Sequence, residues 1–523
     1  MANGLESRQD ADAVHAFIES LRNRGVRLWS DGERLRYTAR KGVLARGEIE
    51  KLGALKAEII PLLGNTAEDN EHRPDPAASP RRGAAPLTFC QMAQWRSHQL
   101  SRRPSYRAVA TAIRISGPLN VDALAESVVR IEDRHGALRT RIVVLDGVPM
   151  QEICESAAGG LQTCDLTALL HCDREIEIRR HIAELILEPI DFAAGPLYAV
   201  RLLKLATDAE HVLIVVLEHL ISDGFSLDIL MTELFQAYEQ VSRNRPVAWS
   251  TTSMQIADYA VWQRSSHEAW LRRHDTYWKA RLAGCGRVKF PESRPLSRTP
   301  REGWGCVPLQ FGSEMRSQLG TWCRAHRTTV AMSVFTAFVA VVSRWCTVAD
   351  AVFRYQINGR VSSKVTGTIG YFASRLHLRI DLGGKLNFVG LMQRIIKEYD
   401  EALEHADLSY LETLEPIPEF ARNAIFNWMS QANEVDVCIA SGAEGALRIE
   451  PIPFANPAFE KLEWDNEPMV ILVDTGVEVA GGIYFPRTSL SQDTMELFAR
   501  NFLRFVDYLL TTPEATVRDC ALV

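Results

Sequence analysis

The run H-V-L-I-V-V-L-E-H-L-I-S-D-G, from His211 to Gly224, places an imidazole and a carboxylate, His219 and Asp223, four positions apart at the end of an apolar stretch. The ordinary pKa of imidazole lies nearer neutrality than that of other side chains, so a histidine held in a fixed place can take a proton from a nucleophile. Asp223 can hold a turn or accept a hydrogen bond from an arginine elsewhere, and Gly224 is expected to permit a tight turn that a residue with a Cβ would resist. Taken alone, the same pattern also describes a structural histidine followed by a turn, and the rest of the chain has to decide between them.

The stretch from His211 to Leu217 is rich in Val, Ile and Leu, which suits a strand buried on both faces of a sheet. The polar residues that follow then sit where the chain leaves the core, and functional groups collect in such places. With 523 residues, 46% hydrophobic and 24% charged, the chain is long enough for several domains and has the mix of a globular protein. A formal net charge of −6 gives no overall pull toward nucleic acid or anionic membrane, and no apolar run reaches the roughly 18 to 20 residues of a membrane span. The N-terminus lacks the basic and then apolar regions of a secretory signal, so a cytoplasmic protein is expected. The ten cysteines form no C-x-x-C pair and no Cys/His cluster at zinc spacing, so neither a disulfide scaffold nor a metal site is indicated.

Composition divides the chain near its start. Residues 1–64 read as a small unit: a helical pattern from Ala11, an alternating strand pair around Asp31-Gly32, and a second helical stretch from Arg46. Residues 65–86 hold too few apolar side chains to pack and read as a flexible linker. The small unit is basic around its hairpin, with Arg27, Arg34 and Arg36 beside Trp29. That pattern suits an acidic peptide tail, which could add a strand to the hairpin edge and pair its carboxylates with the arginines.

Several motifs occur in order along the remainder: PLTFCQMAQW from Pro86, RHGALRT from Arg134, the histidine motif at His219, and IADYAVWQ with YWKARLAG between Ile256 and Gly284. INGR ending at Arg360, IGYFASRLHLR from Ile369, EHADLSYLETLE around His405 and RNAIFNWM from Arg422 follow. With these motifs the chain from Pro86 onward resembles the condensation domains of nonribosomal peptide synthetases, and the first 64 residues resemble the TubC-like β-hairpin docking domains of such assembly lines. The resemblance implies an α/β fold of two chloramphenicol-acetyltransferase-like lobes in a V-shaped pseudo-dimer, at 87–263 and 264–523, behind a small α+β docking domain. It further implies a tunnel between the lobes. A donor acyl group would enter it as a thioester on the phosphopantetheine arm of a partner carrier protein, with no cofactor bound to the chain itself.

Carried onto this sequence, the resemblance makes His219 the catalytic histidine, acting as general base or chiefly orienting the nucleophile. Asp223 would be structural through an ion pair, with Arg360 as first choice of partner and Arg139 as second. Asn427 would lie near the site, either bonding substrate or a developing oxyanion or serving as a core asparagine, and Ser374 and Tyr371 are further candidates for substrate contact. The sequence departs from the family pattern at Glu218, where a first histidine is usual, at Ala93, where an arginine is common, and at Ser374, where an asparagine is common. An acid at 218 together with Asp223 is similar to the paired aspartates of heterocyclisation domains, but those lack the histidine.

No adenylation, carrier or thioesterase pattern follows the last helical stretch, so a stand-alone enzyme is expected. It would recruit the carrier of an upstream synthase through the docking unit and release the chain onto a free small-molecule amine or alcohol. Elongation onto a carrier-bound acceptor, acyl transfer from coenzyme A and a non-catalytic recruitment role are the alternatives.

Overall fold

The computed structural model describes residues 27–31, 34–38, 46–56, 59 and 83–100. From 109 to 522 it describes all except 157–158, 207–208, 250–253, 286–287, 292–302, 361, 407–422, 431–437, 443–444, 454–455 and 458–466. β1 (Arg27–Asp31) and β2 (Arg34–Thr38) form the antiparallel hairpin expected around Asp31, which stands opposite Arg34, and α1 (Arg46–Ala54) follows. The helical pattern from Ala11 lies outside the described residues.

The first half of the large part runs β3 (Gly83–Pro86), α2 (Phe89–Leu100), β4 (Val109–Ser116), α3 (Val121–Arg134), β5 (Thr140–Leu145), β6 (Val148–Ile153) and β7 (Leu161–Asp165). It continues through α4 (His171–Leu187), β8 (Tyr198–Ala206), β9 (Glu210–Leu217), α5 (Gly224–Ser242), α6 (Ile256–Ser265) and α7 (His267–Leu282). The second half runs β10 (Trp304–Phe311), α8 (Ser313–Ala325), α9 (Val330–Cys346), β11 (Asp350–Ile357), β12 (Ser374–Asp381) and α10 (Phe388–Glu404). It ends with β13 (Ile425–Ser430), β14 (Cys438–Gly442), β15 (Gly445–Pro451), β16 (Met469–Asp474), β17 (Val479–Pro486) and α11 (Gln492–Thr511).

Two six-stranded mixed sheets result, ordered β7-β8-β9-β4-β15-β14 and β12-β11-β13-β16-β17-β10, beside a small sheet β3-β6-β5. Each large sheet is the floor of one lobe. In the first, β9 is a central strand covered on both sides, as its unbroken apolar run predicts. Leu213, Val215 and Leu217 face a core shared with α3 and α5, while Val212, Ile214 and Val216 pack with Ile178, Ile182 and Leu185 of α4. In the second, α9 is buried along most of its length and α11 presents Met495, Phe498, Phe502, Phe505 and Leu509 at helical spacing to the same core. No single helix among the described residues is long and apolar enough to cross a membrane.

Two expectations about the chain's divisions change. Gly83–Pro86, read as the end of the linker, is a strand paired with β6, and Ala85 within it is buried. Its alanines and proline are too few to signal a strand, and it is the partner that makes it one. The lobes are also not divided at a single point in sequence. The β14–β15 hairpin, far into the second half, crosses back and adds to the edge of the first sheet, with Ile449 opposite Ile115. A strand's alternation says which side is apolar but not which edge it will cover. Val365, Ile369 and Phe372 of the second half likewise pack into the first lobe's core with Ile256 and Tyr259 of α6.

Candidate active site

Strand β9 ends at Leu217, and the amide of Glu218 still donates to the Leu197 carbonyl at 2.8 Å, so the sheet hands the chain directly to the histidine loop. The loop closes on itself: the Ser222 hydroxyl donates to the Glu218 carbonyl at 2.8 Å, and His219 Nδ1 lies 2.8 Å from the Ser222 carbonyl oxygen. A carbonyl can only accept, so Nδ1 carries a hydrogen, and in the neutral ring Nε2 then keeps the lone pair. The Leu220 peptide is held at both ends, its amide by the Glu218 carboxylate and its carbonyl by Gln91 Nε2 at 3.0 Å. Gln91, wholly buried on α2, also accepts from the Thr88 amide at 2.9 Å.

Asp223 is the N-cap of α5 and the centre of the junction between the lobes. Its Oδ1 accepts from the Ser226 amide and hydroxyl, each at 2.8 Å, which ties it to the first turn of the helix. The ion pair expected of it is made by Arg360, with Nη1 to Oδ2 at 2.9 Å and Nη2 to Oδ1 at 3.1 Å. The two side chains are 5% and 1% exposed. The Arg360 guanidinium also bonds the Ser226 hydroxyl and the Thr368 carbonyl, each at 3.1 Å, and lies over the rings of Phe225 and Phe372. The second choice, Arg139, is engaged elsewhere and donates to the carbonyls of Glu132 and Asp133.

The segment 370–372 is stitched to the same helix start. The Gly370 amide donates to the Ser226 hydroxyl at 3.1 Å and the Phe372 amide to Asp223 Oδ2 at 3.1 Å. Tyr371 between them sets its ring edge-on to His219 with centroids 4.9 Å apart, so the structure brings these two sequence candidates together. Ser374 opens β12, is 5% exposed and lines a narrow cavity with Tyr371, Cys90 and Tyr259, one residue layer away from the histidine. Asn427 is half-buried on β13. Alternation puts it on the same face as Met429, whose Sδ comes within 3.7 Å of where a Cβ on Gly224 would stand.

Gly224 does not have the role expected of it. It has no left-handed backbone conformation, it is the first residue of α5, and an added Cβ would meet only ordinary contact with Met429. The turn is made by Asp223 capping the helix, and neither backbone conformation nor space requires glycine at this position. Arg27, Trp29, Arg34 and Arg36 fall on β1 and β2, where Trp29 stands opposite Arg36. Sequence reasoning passed over Gln91 and Ser226. For Ser226 the available signal was indirect: an aspartate before a helix start reads as an N-cap, whose side chain accepts from the amide two or three residues on. Gln91 carried none.

The arrangement suits one chemical act: an imidazole whose tautomer is fixed presents Nε2 as a proton acceptor at a junction held rigid by a buried ion pair. Comparison with known proteins identifies the family and the fold. Residues 81–523 match the family model described as the condensation domain, and residues 14–64 match that of the TubC N-terminal docking domain. A linear gramicidin synthase chain of Brevibacillus parabrevis is 28% identical over 440 residues, covering 84% of this chain and 9% of that synthase, so the protein spans about a tenth of that relative's length. Among solved structures, the X-domain from teicoplanin biosynthesis superposes with a TM-score of 0.71 at 21% identity, covering 86% of this chain and all of that one. SgcC5 from Streptomyces globisporus gives 0.68 at 21%, covering 82% of this chain and all of that one. On the match of 81–523, the chain belongs to the condensation-domain family, whose members form amide or ester bonds by acyl transfer in nonribosomal peptide assembly lines.

Proposed function

We propose that the protein transfers an acyl chain from the phosphopantetheine thioester of a partner carrier protein to a small amine or alcohol, releasing the chain as an amide or ester. The observation that carries the reading is the Nδ1–H bond of His219 to the Ser222 carbonyl, which reserves Nε2 for the acceptor's proton. The acceptor's nitrogen or oxygen attacks the thioester carbonyl as Nε2 takes its proton. The C–S bond then breaks, and the departing thiolate recovers a proton from the imidazolium. Asn427, Ser374 and Tyr371 are proposed to contact substrate. SgcC5 was solved in complex with a diol, (R)-(-)-1-(2-naphthyl)-1,2-ethanediol, which is in keeping with a small hydroxyl acceptor.

The docking unit is proposed to recruit the carrier through an acidic tail. Strand alternation sets positions 27, 29, 34 and 36 on one face of the hairpin, together with Asp31 opposite Arg34. The reaction is proposed to run in the cytoplasm. A second reading takes acyl-coenzyme A as donor, since a starter condensation domain from rhizomide synthetase was solved in complex with C8-CoA.

The test is intact-mass spectrometry of an acyl-loaded carrier protein incubated with wild type or His219→Ala and a panel of amines and alcohols. The expected result is loss of the acyl mass with wild type and a fall of about 100-fold or more with the variant. An acyl group that stays on the carrier with every free acceptor would refute release. Equal rates with acyl-coenzyme A would favour the second reading.

A further inference from the structure

The residue before the histidine is a carboxylate with no route to water. Glu218 is fully buried; one oxygen, Oε2, accepts the Leu220 amide, while Oε1 has no hydrogen bond of its own and stands 3.1 Å from His98 Nε2. His98 comes from α2, its side chain is 8% exposed, and its ring rests against Phe192 with centroids 5.2 Å apart. The Gln94 amide lies 3.2 Å from the same ring nitrogen. An isolated buried carboxylate is costly, and the imidazole is the group placed to relieve it.

We propose that Glu218 and His98 are positioning residues for His219, a clamp built from a buried acid and an imidazole. The inference rests on the reading of His219 as the proton acceptor. The connection is short. The Glu218 side chain fixes the Leu220 amide, and its carbonyl accepts from the Ser222 hydroxyl at 2.8 Å and the Ile221 amide at 3.3 Å. The Ser222 carbonyl in turn takes the His219 Nδ1 hydrogen. Glu218 therefore braces the loop through both side chain and backbone, and His98 keeps the carboxylate aimed at Leu220. Without that anchor the Ser222 carbonyl can turn away, and the ring is then free to take either tautomer.

The test uses the full chain labelled with nitrogen-15 histidine, the His219 signals being assigned by their disappearance in His219→Ala. Wild type should show His219 as a single Nδ1–H tautomer. Glu218→Leu and His98→Leu should each give a mixture, whereas Glu218→Gln, which keeps the shape of the side chain and an acceptor for the Leu220 amide, should retain the wild-type signal. With an acyl-loaded carrier, the two leucine variants should lose about 10- to 100-fold in kcat while KM for the donor stays within about twofold. An unchanged tautomer in both leucine variants overturns the proposal. A change in Glu218→Leu alone removes His98 from it, and should Glu218→Leu fail to fold, His98→Leu decides. If wild type turns over no donor, the functional reading fails, while the tautomer comparison still answers for the clamp.

Discussion

Removing the Arg360 guanidinium should destabilise the protein by about 3 kcal/mol, and removing the Asp223 carboxylate by roughly 4 to 6 kcal/mol. The difference comes from what each change leaves behind. Breaking a buried ion pair strands the remaining charge at a cost of about 3 to 5 kcal/mol. In Arg360→Leu the stranded carboxylate still has the Ser226 amide, the Ser226 hydroxyl and the Phe372 amide, so the cost falls at the lower end. In Asp223→Ala the guanidinium, 1% exposed and set over Phe225 and Phe372, keeps only the Ser226 hydroxyl and backbone carbonyls. Helix α5 also loses its N-cap in that variant, which adds about 1 kcal/mol. Deleting both partners removes the stranded charge, so the double variant should be less destabilised than the sum of the two by about 2 to 3 kcal/mol. Urea unfolding followed by both tryptophan fluorescence and circular dichroism measures all three, and coincident transitions justify the free energies. Additivity of the two single changes to within about 0.5 kcal/mol would show that the two side chains do not act as one unit, and the account of the junction would fall.

Gly359 has φ of +63°, and a Cβ there would stand 1.8 Å from the Phe372 carbonyl oxygen, so Gly359→Ala should displace the turn presenting Arg360. The loss should be about 2 to 4 kcal/mol, and an unchanged melting temperature would contradict it. Partial desolvation by the surrounding protein and the neighbouring Asp223 push the Asp228 carboxyl up from 3.8 to about 6, although the residue is exposed. A raised folded pKa gives stability that is full below the unfolded value and lost as pH rises from near 4 through 6. Asp228→Asn should therefore stabilise at pH 8 relative to pH 4, by no more than about 1 kcal/mol because the side chain keeps solvent contact; a pH-independent difference would reject this. Charge reversal at Arg27, Arg34 and Arg36 should slow carrier-dependent turnover about tenfold or more at low salt while sparing small thioester mimics, and equal loss with both donors would refute docking through this hairpin.

The parts of the site that could be read from the sequence are those that local chemistry dictates. The apolar run before His219 could be little other than a central strand, and the residues after such a strand leave the core together. Arg360 was legible only through resemblance, because nothing about an N-G-R turn says that it will meet a carboxylate on another lobe. The parts that escaped depend on contacts distant in sequence. Gly83–Pro86 becomes a strand only beside β6, and the β14–β15 hairpin has the same alternation whichever sheet it joins. Gln91 looks like any helical glutamine until the Leu220 carbonyl is set beside it. Gly224 was misread because glycine before an apolar helix suggests a strained turn, whereas the Asp223 cap achieves the change of direction without one.

The junction also explains why the histidine sits on one lobe and its supports on both. His219, Ser222 and Asp223 belong to the loop between β9 and α5, while Arg360 and the segment 370–372 come from the connection between β11 and β12. Neither sheet alone can complete the site. A loop carrying a wholly buried carboxylate at Glu218 and another, nearly buried, at Asp223 would be unstable if the second lobe withdrew its guanidinium. The histidine loop is thus most ordered when the lobes are packed. The same ion pair that resists separation is what fixes the Tyr371 ring against His219, through the Phe372 amide bonded to Asp223. Stability of the junction and orientation of the His219 ring are therefore consequences of one set of contacts.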